Sequence, residues 1–112
     1  MGQLRKRLHD PLERTLRRMR RDPSYSQHND ALATVQSTPK LFSALSADVE
    51  TMLKNDGSAQ MMLLSLDETE TPPHRLLQAI KAAAEKLWAH REEILAFVLK
   101  LIALMPKTVK KK

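Results

Sequence analysis

The sequence predicts an all-α protein of four to five helices, built as one domain of 112 residues. Three observations carry this. Apolar residues recur every three or four positions in several long stretches, as one face of a helix requires. No stretch alternates apolar and polar residues with the two-residue period of a strand, and no internal repeat is present. The helical patterns also break where Pro, Gly, Ser, Asn and Asp cluster. Hydrophobic content of 42% against 29% charged residues suits a packed core. With Tyr25, Phe42, Trp88 and Phe97 as the only aromatics, that core must be aliphatic. So short a chain buries a modest share of its surface, which favours association with a partner. Cysteine is absent, which excludes disulfides and thiolate metal sites and fits a reducing compartment.

The first segment, residues 1–21, is a basic, arginine-rich helix. Leu4, Leu8, Leu12, Leu16 and Met19 form one narrow apolar stripe. Asp10-Pro11-Leu12-Glu13 contains a start signal: an acceptor at the cap, proline at the first helical position and glutamate three residues after the cap. The expected helix therefore runs from Pro11 to Arg21, with residues 2–9 a separate turn or frayed. Residues 22–71 then supply loops and shorter helices. Asp22 to Asp30 reads as a turn, and a short helix over Asn29 to Gln36 uses Leu32 and Val35 as contacts. Thr38 and Pro39 open an amphipathic helix bearing Phe42, Leu45, Val49, Met52 and Leu53. Gly57 is its expected stop, in the left-handed conformation that glycine accepts. Ser58 is the expected cap of a further short helix carrying Met61, Met62, Leu63, Leu64 and Leu66.

The acidic stretch Asp67 to Thr71 leads into the last and longest element, expected as one apolar helix over residues 72–105 with a basic tail at 106–112. Leu76, Ile80, Ala83, Leu87, Ile94, Val98, Leu101 and Met105 share a face at the alternating steps of a packing seam. From Ile94 to Met105 only Ala96, Lys100 and Ala103 leave a small polar strip, and a helix apolar nearly all round belongs inside something. The long helix is therefore expected as the spine, with the arginine helix outermost. Its wide apolar end predicts a helical-bundle homodimer with Leu87, Ile94, Val98, Leu101 and Met105 at the interface. Arg91, at the edge of the seam, marks a bend or the end of the buried surface.

Charge is distributed unevenly. Residues 1–21 carry eight basic and two acidic side chains, residues 22–75 three and eight, and residues 76–112 eight and three. Basic ends around an acidic middle point to an anionic partner or to neutralisation within the fold. Arginine pairs with phosphate through two parallel hydrogen bonds, so Arg5, Lys6, Arg7, Arg14, Arg17, Arg18, Arg20 and Arg21 are the candidate nucleic-acid contacts. No aromatics interleave with them as single-strand binders require. The expected partner is the backbone of duplex RNA or DNA, with little sequence specificity. The rival expectation is an anionic membrane surface met by the apolar residues from Ile94 and the lysines that follow. A protein–protein adaptor or inhibitor is the third.

Other chemistries lack their residues. His9, His28, His74 and His90 sit in four separate settings without a second ligand at a zinc spacing. His90 and Glu93 are three apart, as ordinary helix-surface pairs are. Two glycines cannot build a phosphate-cradling loop, and no serine stands in a nucleophile elbow. No enzyme activity, cofactor, metal or small-molecule substrate is expected. The N-terminus lacks the apolar core of a secretory signal, and the apolar run falls short of the ~20 residues of a membrane span, which predicts a cytoplasmic protein.

Overall fold

A computed structural model of the protein describes residues 3–105, and every regular element in them is helical. Six α-helices follow one another: α1 (Leu4–Arg21), α2 (Asn29–Ser37), α3 (Pro39–Lys54), α4 (Gln60–Asp67), α5 (Pro73–Ala89) and α6 (Arg91–Leu104). Short 3₁₀ turns at Pro23–His28 and Gly57–Ala59 join α1 to α2 and α3 to α4.

The arginine-rich helix is the centre of this bundle, not its outermost member. Leu8, Leu12, Leu16 and Met19 are at most 1% exposed, and α1 packs against α2, α3, α4 and α5. A single apolar stripe suffices because the neighbouring helices close over it from both sides. The helix also begins earlier than its internal start signal suggests, with Pro11 inside it. Interior proline costs ~3 kcal/mol. Burying Leu4 and Leu8 on the added turns returns about 1.5–3 kcal/mol each, so the longer helix wins. Its first turn is also tied down. The Gln3 and Leu4 amides donate to the Asp67 carbonyl and carboxylate, at 3.0 and 3.3 Å. The Arg7 guanidinium donates to the carbonyls of Leu66 and Glu68, which α4 leaves without helical partners at its C-terminus.

Asp22 caps the first 3₁₀ turn by accepting from the Ser24 amide at 2.9 Å, and Tyr25 is buried beneath it. Proline at the first position opens α3 as expected, and Phe42, Leu45, Val49, Met52 and Leu53 are all buried. Its end differs from expectation. Among the described residues none adopts a positive φ, Gly57 included. The chain turns instead through Asp56, whose carboxylate accepts from the Ser58 amide at 2.9 Å and hydroxyl at 2.7 Å. Asp56, not Ser58, is thus the capping residue. Thr71 closes the turn before α5 by donating to the Ser65 carbonyl at 2.6 Å.

The expected 72–105 spine is two helices. It breaks at His90 (φ −99°, ψ 20°) without proline or glycine, so local propensity does not impose the break. Packing does: α5 lies on α1 and α4, whereas α6 lies on α2 and α3. A straight helix would carry Ile94, Leu95 and Val98 away from the hollow that buries them. The break also places Glu92 and Glu93 in the first turn of α6, where the helix dipole favours negative charge.

The dimer seam changes accordingly. Leu87, Ile94 and Val98 are fully buried inside one copy of the chain, while Leu101 and Met105 are only half-buried. Three of the five residues expected at a homodimer interface therefore have no surface to offer a partner. The part of the wide apolar face at Ile94, Leu95 and Val98 is covered within the chain itself, by α2 and α3.

Candidate functional site

Residues three, four and seven apart share a face of a helix, and α1 uses this twice. Its inner face is the leucine stripe. On its outer face Arg14, Arg17, Arg18 and Arg21 line one shallow recess. All four are exposed, and the buried stripe beneath them fixes their Cα positions. Arg14 Nε lies 3.1 Å from Asp10, and Arg17 Nη2 lies 3.7 Å from Glu13. Both are exposed i,i+4 pairs, worth about 0–1 kcal/mol, so either arginine is easily drawn to another anion. Arg18 lies over the Trp88 ring at 3.9 Å, and Arg91 approaches the same ring at 4.8 Å. Neither Arg18 nor Arg21 has a carboxylate partner among the described residues.

The other four basic residues of the N-terminal segment do not join this face. Arg5 is bound to Glu50 at 2.6 Å, and Lys54 reaches the same carboxylate at 2.9 Å. The Lys54 hydrogen bond, with that of Arg5 behind it, holds the Glu50 carboxyl below its usual range. Arg7 is spent on the end of α4. Arg20 turns inward, donating from Nη1 to the Gln36 side chain at 3.0 Å while its buried Nε has no partner. Lys6 is exposed, but lines a separate groove with His9 and Phe42. Eight cations adjacent in sequence thus resolve into four that converge, three built into the fold and one apart. Helical phase sets Arg20 between the two faces, whereas Arg5 and Arg7 are drawn off by acceptors on α3 and at the end of α4.

A second cluster was only half visible in the sequence. His90 does meet Glu93 through Nδ1, as its spacing suggests, but Nε2 also lies 3.0 Å from Asp56, thirty-four residues away in the chain. Lys86 reaches the same carboxylate at 3.7 Å. The hydrogen bond to Asp56, then that to Glu93, raises the His90 pKa above its ordinary value. The His90 and Ser58 hydrogen bonds hold Asp56 far below the usual carboxylate range. The recess beside them, lined also by Asp48, Thr51 and Asn55, measures about 660 Å³. Both imidazole nitrogens are engaged by carboxylates, so this group pins the α5–α6 break rather than standing ready as a free base. Among the described residues no three potential ligands converge on a metal position. Nearby, the buried Tyr25 hydroxyl donates to Glu92 and fastens the first 3₁₀ turn to α6. Burial, then the Glu92 carboxylate, raises the Tyr25 pKa.

No protein-family model matches this chain, and no curated protein or solved structure matches it either. The chemistry of its own surface therefore carries the functional argument.

Proposed function

We propose that the protein is a non-enzymatic binder of nucleic acid, holding the phosphates of duplex RNA or DNA with little base specificity. Arg14, Arg17, Arg18 and Arg21 are the contact residues. One observation carries the reading: four exposed arginines share one face of the helix whose other face is the centre of the core. Such a face is pre-positioned, so binding does not have to order it.

The dimensions suit a backbone. Seven residues of helix rise ~10 Å, and about that length of duplex carries roughly six phosphate charges. Arginine forks match phosphate oxygens in pairs, and exposed weak pairs with Asp10 and Glu13 are readily exchanged for them. The one nearby aromatic, Trp88, already has two guanidiniums against its ring. It is a poor platform for stacking an unpaired base, which favours a duplex over a single strand. The reading needs no second copy, because all four arginines belong to one helix.

The test is fluorescence anisotropy with a labelled duplex at low salt. Arg14, Arg17 and Arg21 are changed together to glutamine, leaving Arg18 on Trp88. The triple variant is expected to lose at least roughly tenfold in affinity, while Lys6→Gln changes little. Equal affinity for the triple variant and the parent protein defeats the reading.

A further inference from the structure

The outward arc of α6 has a composition rarely left facing water. Ala96, Leu99, Lys100, Ala103 and Leu104 lie on it, all exposed, with Leu104 71% accessible. The opposite arc holds Ile94, Leu95 and Val98 and is sealed in the core. A surface helix ordinarily presents charged and polar side chains outward. Beyond Glu92 and Glu93 in its first turn, Lys100 is the only one, and half-buried Leu101, Ile102 and Met105 widen the apolar area. Residues 94–112 contain five lysines and no acidic side chain.

We infer that this end of α6 is a docking surface for an anionic lipid bilayer, on which the helix lies in the plane of the headgroups. Charge selects the occupant. A second copy laid on the same residues, 94–105, would set Lys100 against Lys100, and residues 94–112 hold no carboxylate to answer it. Anionic lipid supplies that negative charge and takes the leucines into its apolar boundary, while Lys100 extends along its own stem to the headgroups. Lys107, Lys110, Lys111 and Lys112 lie outside the described residues. Their charges add to the attraction wherever they stand within a Debye length of the surface. Spanning is a different matter: no helix among the described residues is long and apolar enough to cross a membrane. This surface is separate from the arginine face of α1, and neither site requires the other.

The test is co-sedimentation of the full chain with phosphatidylcholine vesicles, with and without phosphatidylserine. Sedimentation with the phosphatidylserine vesicles alone is expected. The double variant Leu99→Asp with Leu104→Asp should reduce vesicle binding at least roughly tenfold. Both side chains are exposed, so its circular dichroism and its affinity for duplex should match the parent. The triple arginine variant should still sediment. Three results would overturn the inference. The first is no sedimentation with either vesicle. The second is undiminished binding by the double aspartate variant, which would place binding on the arginine face. The third is a dimer in light scattering that the two aspartates convert to monomer, which would make a second copy the occupant.

Discussion

Truncating Leu12 to alanine probes whether the arginine-rich helix is the centre of the molecule. Leu12 is fully buried, and its neighbours along the stripe, Leu8 and Leu16, are 1% and 0% exposed. None of these has room to move into the space left behind, so the cavity persists. Buried Leu→Ala changes cost ~2.7–5 kcal/mol, depending on how far the site collapses. With so little slack, about 3.5 kcal/mol is expected here, a large share of the ~5–15 kcal/mol typical of a whole domain. For a chain of this length the unfolding entropy converts that to a fall in Tm of about 15 °C. The assay is urea unfolding followed by circular dichroism, with Leu77→Ala as control. Leu77 is 54% exposed on α5, and its truncation should cost less than ~0.5 kcal/mol. A Leu12→Ala loss below about 1 kcal/mol with an unchanged m-value would refute the central placing of α1, since only an outer helix loses so little.

Three further outcomes follow from the same contacts. Arg20→Met removes a half-buried guanidinium whose buried Nε lacks a partner. It should leave stability within ~1 kcal/mol of the parent or raise it, and leave duplex affinity unchanged; a binding loss would return Arg20 to the contact set. Arg7→Ala removes the side-chain donor of the Leu66 carbonyl and leaves the Glu68 carbonyl with the Thr71 hydroxyl alone. It should cost about 1–3 kcal/mol in chemical denaturation, with hydrogen exchange at the start of α1 showing the loosening. The Asp56–His90 clamp makes stability depend on pH. The folded-state pKa of His90 lies above its ordinary value of 6.5, so its stabilisation is complete below 6.5 and is lost as pH rises through the folded value. Asp56 is shifted down from 3.8, so its share is present above that value and lost only in strong acid. The Tm difference between the parent and His90→Gln should therefore be widest at mildly acidic pH and shrink towards pH 9. A difference that is flat or grows with pH would contradict the clamp.

Much of the architecture was legible in apolar spacing. The stripes on α1 and α3, the start at Pro39 and the short α2 all follow from period and cap chemistry. The features that apolar spacing does not show depend on contacts between distant residues. Residues 94–105 read as apolar nearly all round because α6 is covered on one side by α2 and α3. That same pattern fits a dimer seam, and nothing local distinguishes the two. The break at His90 has no Pro or Gly to announce it, since Asp56 and the hollow beside α3 enforce it. Gly57 looked like a helix stop, yet the Asp56 carboxylate did the capping. The candidate site shows the same limit. Helical phase alone groups Arg14, Arg17, Arg18 and Arg21. That Arg5 meets Glu50, and that Arg7 meets the end of α4, required knowing which acceptors lie across the bundle.

A salt titration of duplex binding, comparing the parent protein with the triple arginine variant, decides whether the arginine face grips phosphates. Four phosphate contacts predict a log–log slope near −3.6, which is roughly a 150-fold loss of affinity between 50 and 200 mM salt. Removing three of the four arginines should bring the slope close to −1. Parallel lines of equal steepness for the two proteins would contradict the assignment and move any binding elsewhere on the molecule.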